Sequence, residues 1–263
     1  MTTIGFIGTG NMGSALAKAA VKSGLADKIL LANRTREKAE KLREELGTGE
    51  VCDNETVVRE ADYIFLGVKP HLLNGVMEPL WDILDSRTDR YIIVSMIAGR
   101  DVETLSKMFK GAPIIRANPN IPTAVGSGIL LYHVSDNVTE EEKKYFHDLM
   151  APAGLLEEQD EWTMKCAGGV MGCGPAFAAM FAEALADGAV ACGLPRKEAY
   201  RYAAEMMKGT ADVILKTGKH PGEVKDSVCS PAGSTIQGVR VLEERNFRAA
   251  VMDAVIATFE KQF

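Results

Sequence analysis

The sequence has few cysteines, and none of them lies in a pattern that binds metal. The five cysteines are an odd number and include no C-x-x-C pair. This usage is typical of a protein in a reducing compartment and offers no zinc pattern. We therefore expect a cytoplasmic location, no metal site, and cysteines that serve as small buried apolar side chains. They are Cys52, Cys166, Cys173, Cys192 and Cys229.

The chain also lacks an excess of positive charge. Its 30 Lys and Arg residues against 36 Asp and Glu residues give a net charge of −6, which argues against a nucleic-acid-binding protein. No targeting segment precedes the first strand, which follows Met1 almost directly, so we expect no secretion. With 263 residues, 46% hydrophobic and 25% charged, the composition predicts a soluble protein of one large or two ordinary domains.

Long apolar runs are nearly absent. One long run without a charged residue, Cys166 to Ala182, has seventeen residues and borders on the length of a membrane span. It is rich in Ala and Gly and is interrupted by Pro175. We interpret it as a buried helix whose small residues let another helix approach closely, across a subunit interface, and we expect no membrane insertion.

The first strand is followed by a glycine-rich turn. Apolar residues precede Gly8, Gly10 and Gly13, which fit G-x-G-x-x-G directly before a helix. The first glycine permits a tight turn, the second lets a pyrophosphate approach the backbone, and the third lets the helix pack near its strand. The first amides of the helix also favour an anion. The predicted cofactor contacts of this turn are Gly8, Thr9, Gly10, Asn11, Met12 and Gly13.

Short apolar strands alternate with helices through the first half of the chain. The predicted strands cover residues 4–7, 28–32, 62–68, 91–95, 113–116 and 128–132, with a last edge strand at 155–156. Asn54 is predicted to cap a short helix, and Pro70 to open one that ends near Leu84. Such strands favour a mostly parallel sheet with right-handed crossovers.

From about Glu161 onward, nearly all of the chain has helical spacing. The sequence therefore predicts an α/β fold in two domains. Residues 1–160 form a Rossmann-like, doubly wound dinucleotide-binding domain, and residues 161–263 form an all-helical domain.

The residues after the second strand determine the expected cofactor. An NAD site usually has Asp or Glu there, whereas this chain has Asn33, Arg34 and Thr35. A guanidinium and a hydroxyl bind a 2′-phosphate that a carboxylate would repel. We therefore predict NADPH in preference to NADH, which stays possible, with Arg34 as the main discriminator. The alternative is that Arg34 is a solvated loop cation.

Other loops at the carboxyl ends of the strands are expected to surround the same cofactor, because parallel strands end at one edge of the sheet. His71 lies in the first turn of a helix and is interpreted as structural. The predicted cofactor residues in these loops are Asn54, Val68, Lys69, Pro70, Met96, Ile97, Ala98, Gly99 and Pro119.

A second motif lies between Lys225 and Glu243. Pro231 to Gly233 predicts a turn, and Ser234 with Gln237 resembles a capping box at the start of a helix. The amides at this helix start predict a site for an anion the size of a carboxylate, with hydroxyl groups beside it. The alternative is an ordinary capped helix without a ligand.

These motifs resemble the pyrroline-5-carboxylate reductase family along essentially the whole chain. Its late signature is similar to residues 226–243, and its helical-domain pattern is similar to 172–176 and 183–195; the Val68–His71 loop is similar too. The resemblance implies NADPH-dependent reduction of 1-pyrroline-5-carboxylate to L-proline, the last step of proline synthesis. It also implies an active site between a cofactor domain and a helical dimerisation domain, in dimers that assemble into decamers.

The resemblance assigns roles to four residues near the second motif. Thr235 would hydrogen-bond the ring nitrogen of the substrate as the catalytic residue, and Ser230, Gly233 and Ser234 would hold its carboxylate. The chain departs from the family pattern at Cys173, where serine is usual, and at Asn118, where methionine is common. A thiol is a weaker hydrogen-bond donor than a hydroxyl, so Cys173 is less suited to a polar role than the usual serine.

Two alternatives remain at this level. A β-hydroxyacid dehydrogenase resembles the chain through Gly169, Gly172 and Gly174, but Ala178 stands at the lysine position of that pattern. Without that amine, alcohol oxidation lacks its usual acid/base group. A non-catalytic NADPH sensor would retain the first glycine turn and need no carboxylate pocket.

Overall fold

The computed structural model describes residues 1–261, which divide into two compact units. The first unit covers residues 1–172 and consists of a sheet with helices, and the second begins at Cys173 and consists of helices. The predicted order, an α/β domain followed by a helical one, is confirmed.

The sheet has eight strands. They are β1 (Thr3–Ile7), β2 (Lys28–Ala32), β3 (Glu50–Val51), β4 (Tyr63–Leu66), β5 (Ile92–Ser95), β6 (Ile114–Pro119), β7 (Gly128–Val134) and β8 (Gly154–Glu158). Their order is β3-β2-β1-β4-β5-β6-β7-β8. The pairs among β1 to β6 are parallel, β7 is antiparallel to β6, and β8 is parallel to β7. The mostly parallel sheet is confirmed, and the carboxyl ends of β1 to β6 share one edge.

Alternate residues of the central strands pack into two cores on opposite faces of the sheet. Ile4 and Phe6 lie in one core, where Phe6 stacks on Phe65 with 4.6 Å between ring centroids. Ile7 and Leu66 lie in the other core. Because side chains alternate along a strand, a strand covered on both faces is apolar at every position.

Thirteen α-helices accompany the strands in the described chain. They are α1 (Asn11–Ser23), α2 (Arg36–Leu46), α3 (Asn54–Glu60), α4 (Leu73–Met77), α5 (Trp81–Ser86), α6 (Val102–Met108), α7 (Glu140–Met150), α8 (Glu161–Ala167), α9 (Gly174–Ala191), α10 (Arg196–Thr217), α11 (Pro221–Ser227), α12 (Ser234–Glu244) and α13 (Phe247–Glu260). The first two end at Gly24 and Gly47, whose φ angles are 70° and 68°. Glycine adopts this left-handed conformation without strain, which ends the helix.

Two local predictions are wrong, and a third element carries no sequence signal. The predicted helix from Pro70 to Leu84 is divided by 3₁₀ turns, because Pro79 has no N–H to donate. Asp53, rather than Asn54, caps α3, since its carboxylate accepts the Thr56 N–H at 2.8 Å. The strand β3 has only two residues, too few to show alternation.

The cysteines are more accessible than expected. All five are free, Cys166 and Cys192 are exposed, and the other three are half-buried. The expectation of buried thiols is therefore wrong for the single chain.

Helix α8 packs against the sheet of the first unit. Glu161 accepts hydrogen bonds from the Val102 N–H, at 2.9 Å, and from Arg116. Met164 is buried beside Leu131 of β7. These contacts explain why the first compact unit extends to residue 172, twelve residues beyond the predicted boundary at 160.

The second unit exposes much of its apolar surface. Ala186 is the one buried residue of α9 in the described chain, and Met180 on the same helix is 69% exposed. On α13, Met252 and Ile256 are also exposed. The predicted burial of the long apolar helix is therefore wrong for the single chain, and its surface is typical of a protein–protein interface.

Within residues 1–261, one helical stretch is long and apolar enough to span a membrane by length and composition. It covers Glu161–Ala191, and 17% of its most apolar window is buried. Such a helix is weak evidence of a membrane span, because helices that pack against other protein surfaces have the same composition.

Asn120 joins two segments of the first unit. Its side chain is nearly buried, donates to the Met171 carbonyl at 3.0 Å and accepts the Ile129 N–H at 2.9 Å. Met171 lies in a π-helical turn, Gly168–Cys173, that leads into α9. The amide therefore fixes this turn to the loop that follows β6.

We predict that Asn120→Ala destabilises the protein. It would leave one buried carbonyl and one buried N–H without their partners, so the free energy of unfolding should fall by about 2 kcal/mol or more. Urea unfolding followed by circular dichroism measures this loss. Asn74→Ala, at an exposed position of α4, is the control and should change it by less than about 0.5 kcal/mol. Equal effects of the two substitutions would contradict the prediction.

Candidate functional site

The glycine-rich turn is shaped by close backbone contacts. Gly8 has a φ of 95°, and a Cβ there would lie 2.7 Å from the Gly67 carbonyl oxygen. A Cβ on Gly13 would overlap the carbonyl oxygen of Gly8. Both positions therefore require glycine, as the spacing predicts. Gly67 directly follows β4, and a Cβ there would lie 2.6 Å from the Gly8 carbonyl oxygen. No sequence motif predicts this third glycine contact.

The start of α1 is open to a ligand. Its N-cap is Gly10, and no side chain in the described chain caps the helix. A Cβ on Gly10 would meet no atom within 4 Å, so there is space before the first-turn amides of Asn11 and Met12. Beside them, the Thr9 hydroxyl is buried and has no hydrogen-bond partner among the described residues. A phosphate group fits this arrangement in charge and in hydrogen bonding.

The loop after β2 contacts the glycine-rich turn through Asn33. The side-chain oxygen of Asn33, Oδ1, accepts a hydrogen bond from the Thr9 N–H at 3.1 Å, and the side-chain NH₂ group donates to the Thr35 carbonyl at 2.9 Å. Arg34 is exposed and forms no hydrogen bond or ion pair with any residue of the described chain. Thr35 is the N-cap of α2 but makes no capping bond through its side chain. A guanidinium and a hydroxyl are thus both available in the loop that follows β2.

The other predicted cofactor residues lie at the ends of further parallel strands. After β4, Val68 is half-buried, and Lys69 and Pro70 are exposed. After β5, Ile97 is 2% exposed and packs in the core, so it can offer a ligand only its backbone. The remaining predicted residues at this edge are Asn54 at the start of α3, Met96, Ala98 and Gly99 after β5, and Pro119 at the end of β6.

Two ionisable groups lie next to Asn54 in the sequence, the Cys52 thiol and the Asp53 carboxyl, and each keeps one protonation state at physiological pH. Burial raises the pKa of Cys52 to about 11, so the thiol stays neutral at physiological pH. Hydrogen bonds from Thr56 lower the pKa of the Asp53 carboxyl. Neither group is therefore a general acid near neutral pH.

The second predicted site lies in the second unit, at the start of α12. Ala232 has a φ of 57°, and a Cβ on Gly233 would overlap the Ser230 hydroxyl oxygen. These constraints fold residues 230–233 into a tight turn closed by a hydrogen bond of 3.0 Å from the Gly233 N–H to the Ser230 carbonyl. The turn places the Ser230 hydroxyl beside the helix start.

The predicted capping box is wrong. Gly233 is the N-cap and Ser234 is already the first residue of α12, so the reciprocal bonds of a capping box cannot form. Gln237 instead accepts a hydrogen bond from Arg240 at 3.3 Å. In the part of the chain that the structure describes, no side chain caps this helix. Its first-turn amides are therefore available to an anion, and the exposed Thr235 hydroxyl lies among them.

One residue of the cofactor edge has no sequence signal. The Ser14 hydroxyl donates to the Thr9 carbonyl at 2.9 Å, so it holds the turn from the helix side. A serine inside a predicted helix is too common to indicate this role. Among residues 1–261, no cluster of three or more His, Cys, Asp or Glu side chains could hold a metal ion.

Two family models match the chain. Residues 161–262 match the model described as pyrroline-5-carboxylate reductase dimerisation. Residues 3–99 match the model described as NADP oxidoreductase, coenzyme F420-dependent. The first match begins where helical spacing begins in the sequence.

Known proteins resemble the chain over nearly its whole length. Pyrroline-5-carboxylate reductase of Escherichia coli K12 is 38% identical over 98% of this chain and 96% of its own. The structure of the Plasmodium falciparum pyrroline carboxylate reductase with NADP bound is 30% identical, covers 99% of this chain and 97% of its own, and superposes with a TM-score of 0.87. The Coxiella burnetii pyrroline-5-carboxylate reductase is 28% identical with the same coverage and TM-score. The chain therefore belongs to the pyrroline-5-carboxylate reductase family.

Proposed function

We propose that the protein reduces 1-pyrroline-5-carboxylate to L-proline with NADPH, the last step of proline synthesis. The observation that carries this proposal is the start of α12, where an uncapped helix presents the Ser234 amide and its other first-turn amides beside the hydroxyls of Ser230 and Thr235. The Gly233 N–H is not among these donors, because it donates to the Ser230 carbonyl. This set of donors suits a substrate that has a carboxylate next to a ring nitrogen. Membership of the family supports the same reaction.

The first unit is proposed to bind the cofactor, which supplies a hydride when bound. The amides at the start of α1 would hold the pyrophosphate, and Arg34 with the Thr35 hydroxyl would hold the 2′-phosphate. Residues at the ends of other strands of the sheet would hold the rest of the cofactor. That set is Asn54, Val68, Lys69, Pro70, Met96, Ile97, Ala98, Gly99 and Pro119, with Ile97 acting through its backbone.

The second unit is proposed to bind the substrate. Ser230 and Ser234 would hold its carboxylate, and Gly233 would contribute by the tight turn that its N–H closes on the Ser230 carbonyl. The Thr235 hydroxyl oxygen would accept the N–H of the protonated imine. A protonated cyclic imine already has an electrophilic carbon, so the protein needs to align it and exclude water rather than supply a strong acid. The Thr235 hydroxyl therefore orients the nitrogen.

A homo-oligomer is consistent with the dimerisation model matched by residues 161–262 and with the exposed apolar surface of α9. We propose a homodimer that assembles further into a decamer, located in the cytoplasm. We also propose a functional division at residues 160 and 161, between an NADP-binding part and a dimerisation and substrate part. Sedimentation velocity would measure the oligomer, and a dimer that never associates further would contradict the decamer.

The reaction can be measured directly. Loss of NADPH absorbance with 1-pyrroline-5-carboxylate, together with formation of proline, is the expected result. Oxidation of hydroxyacids with NADP⁺ is the comparison, because Ala178 stands where a β-hydroxyacid dehydrogenase has its lysine. Activity on hydroxyacids without proline formation would overturn the proposal, as would cofactor binding with no turnover of any of these compounds.

We predict that Thr235→Ala lowers kcat by about tenfold to a hundredfold, because it removes a hydrogen bond to a charged nitrogen worth roughly 1.5–3 kcal/mol. The dissociation constant for NADPH should change less than about twofold, since position 235 lies outside the proposed cofactor residues. Thr235→Ser keeps the hydroxyl and should recover most of the turnover. Unaltered turnover in Thr235→Ala would refute the role of the hydroxyl.

We also predict that Arg34→Ala weakens NADPH binding by about tenfold to a hundredfold and leaves NADH binding unchanged, because the guanidinium contacts only the 2′-phosphate. Fluorescence titration with each cofactor measures both constants. Arg43→Ala is the matched control, since it removes the same charge from an exposed position near the end of α2. An unchanged preference for NADPH over NADH would contradict the assignment, and unchanged binding of both cofactors would show that Arg34 is a solvated loop cation.

A further inference from the structure

Asn33 uses both ends of its side-chain amide within the protein. Its carbonyl oxygen accepts the Thr9 N–H at 3.1 Å, and its NH₂ group donates to the Thr35 carbonyl at 2.9 Å. The side chain therefore joins the glycine-rich turn, which follows β1, to the loop that follows β2. These are the two places where phosphate groups are proposed to bind.

Both segments that Asn33 joins are held on their other side as well. The Thr9 carbonyl accepts the Ser14 hydroxyl at 2.9 Å, and the Gly8 N–H donates to the Ala32 carbonyl at 2.8 Å. The Thr35 carbonyl also accepts the Lys38 N–H at 3.0 Å, in the first turn of α2. The amide of Asn33 thus connects one helix start to the other through a short chain of backbone groups.

An amide suits this position for a chemical reason. The Thr9 N–H needs an acceptor and the Thr35 carbonyl needs a donor, and asparagine presents both from one short side chain. Aspartate would accept from Thr9 but would repel the Thr35 carbonyl, because a carboxylate has no proton to donate. Alanine would satisfy neither group.

We propose that Asn33 is a positioning residue that couples the pyrophosphate loop to the 2′-phosphate loop, instead of binding the cofactor through its own side chain. The inference rests on the proposed function of this edge as an NADPH site. It assigns the selectivity for NADPH to two residues with different actions. Arg34 contacts the 2′-phosphate, and Asn33 holds the loop on which Arg34 lies by its hydrogen bond to the Thr35 carbonyl.

The two roles predict different binding patterns. Arg34→Ala should weaken NADPH alone, whereas Asn33→Ala should weaken NADH by about threefold to tenfold and NADPH by a larger factor, since both loops lose a hydrogen bond. Ser14→Ala releases only the glycine-rich turn, so it should weaken both cofactors by similar factors. Fluorescence titration with NADPH and with NADH, at one salt concentration, measures all three variants.

A second variant tests the acceptor function of the amide through NADH binding. Asn33→Asp keeps the acceptor for the Thr9 N–H and loses the donor to the Thr35 carbonyl, so NADH binding should be retained. NADPH binding should fall, both because the donor is lost and because the new carboxylate repels the 2′-phosphate. In turnover with Asn33→Ala, KM for NADPH should rise by a larger factor than kcat falls, because the side chain acts on binding geometry. Circular dichroism and thermal unfolding of each variant report whether the fold is intact.

Three results would overturn the inference. Loss of NADPH binding alone in Asn33→Ala would mean that the side chain acts only at the 2′-phosphate. Equal loss for both cofactors would mean that it serves the glycine-rich turn only. Weak NADH binding in Asn33→Asp, as weak as in Asn33→Ala, would remove the role of the acceptor. The binding assay needs no turnover, so a protein that shows the expected pattern but forms no proline contradicts the proposed function and leaves this inference intact.

Discussion

The absence of a side-chain cap at two helix starts is the feature on which the proposed chemistry depends. Both α1 and α12 have glycine as the N-cap residue, Gly10 and Gly233, and neither is capped by a side chain of the described chain. The usual capping residues would satisfy the first-turn amides internally and fill the adjacent space. With glycine, the amides stay available to an external anion. The cofactor pyrophosphate and the substrate carboxylate are both anions that need such donors, so one structural device can serve both ligands.

The sequence predicts the first of these helix starts well and the second less well, for a physical reason. At Gly8 and Gly13 the backbone contacts themselves require glycine, so the spacing of these residues predicts the geometry of the turn. At α12, Ser234 and Gln237 have the residue types of a capping box, but Gly233, whose N–H closes the preceding turn on the Ser230 carbonyl, is the N-cap, one residue earlier than predicted. The position of the N-cap depends on how the preceding turn folds, which residue types do not reveal.

Long strands and helices follow from periodicity, whereas the contacts between loops do not. The parallel order of β1 to β6 could be expected from alternating apolar strands and helices, but the two-residue β3 and the division of the helix at Pro79 could not be placed. The position of Ile97 after β5 predicts a contact with the cofactor, although its side chain packs in the core. The position of Asn33 after β2 also predicts a contact with the cofactor, yet its side-chain amide forms hydrogen bonds with Thr9 and Thr35. Apolar packing decides the case of Ile97, and hydrogen bonds, one of them to the distant Thr9, decide that of Asn33.

The exposed surface of the second unit links stability to association. On the apolar helix α9, Met180 is 69% exposed. Each Å² of apolar surface that stays in contact with water leaves the fold less stable, by roughly 25 cal/mol, than burial of that surface would make it. A second copy of the chain can cover that surface, in keeping with the dimerisation model that residues 161–262 match. When the covering surface comes from another subunit, the stability of the helical unit depends on protein concentration. The turn that holds Ser230 and Gly233 lies between α11 and α12 of the same unit, so the geometry of the proposed carboxylate site rests on helices whose own stability comes in part from association.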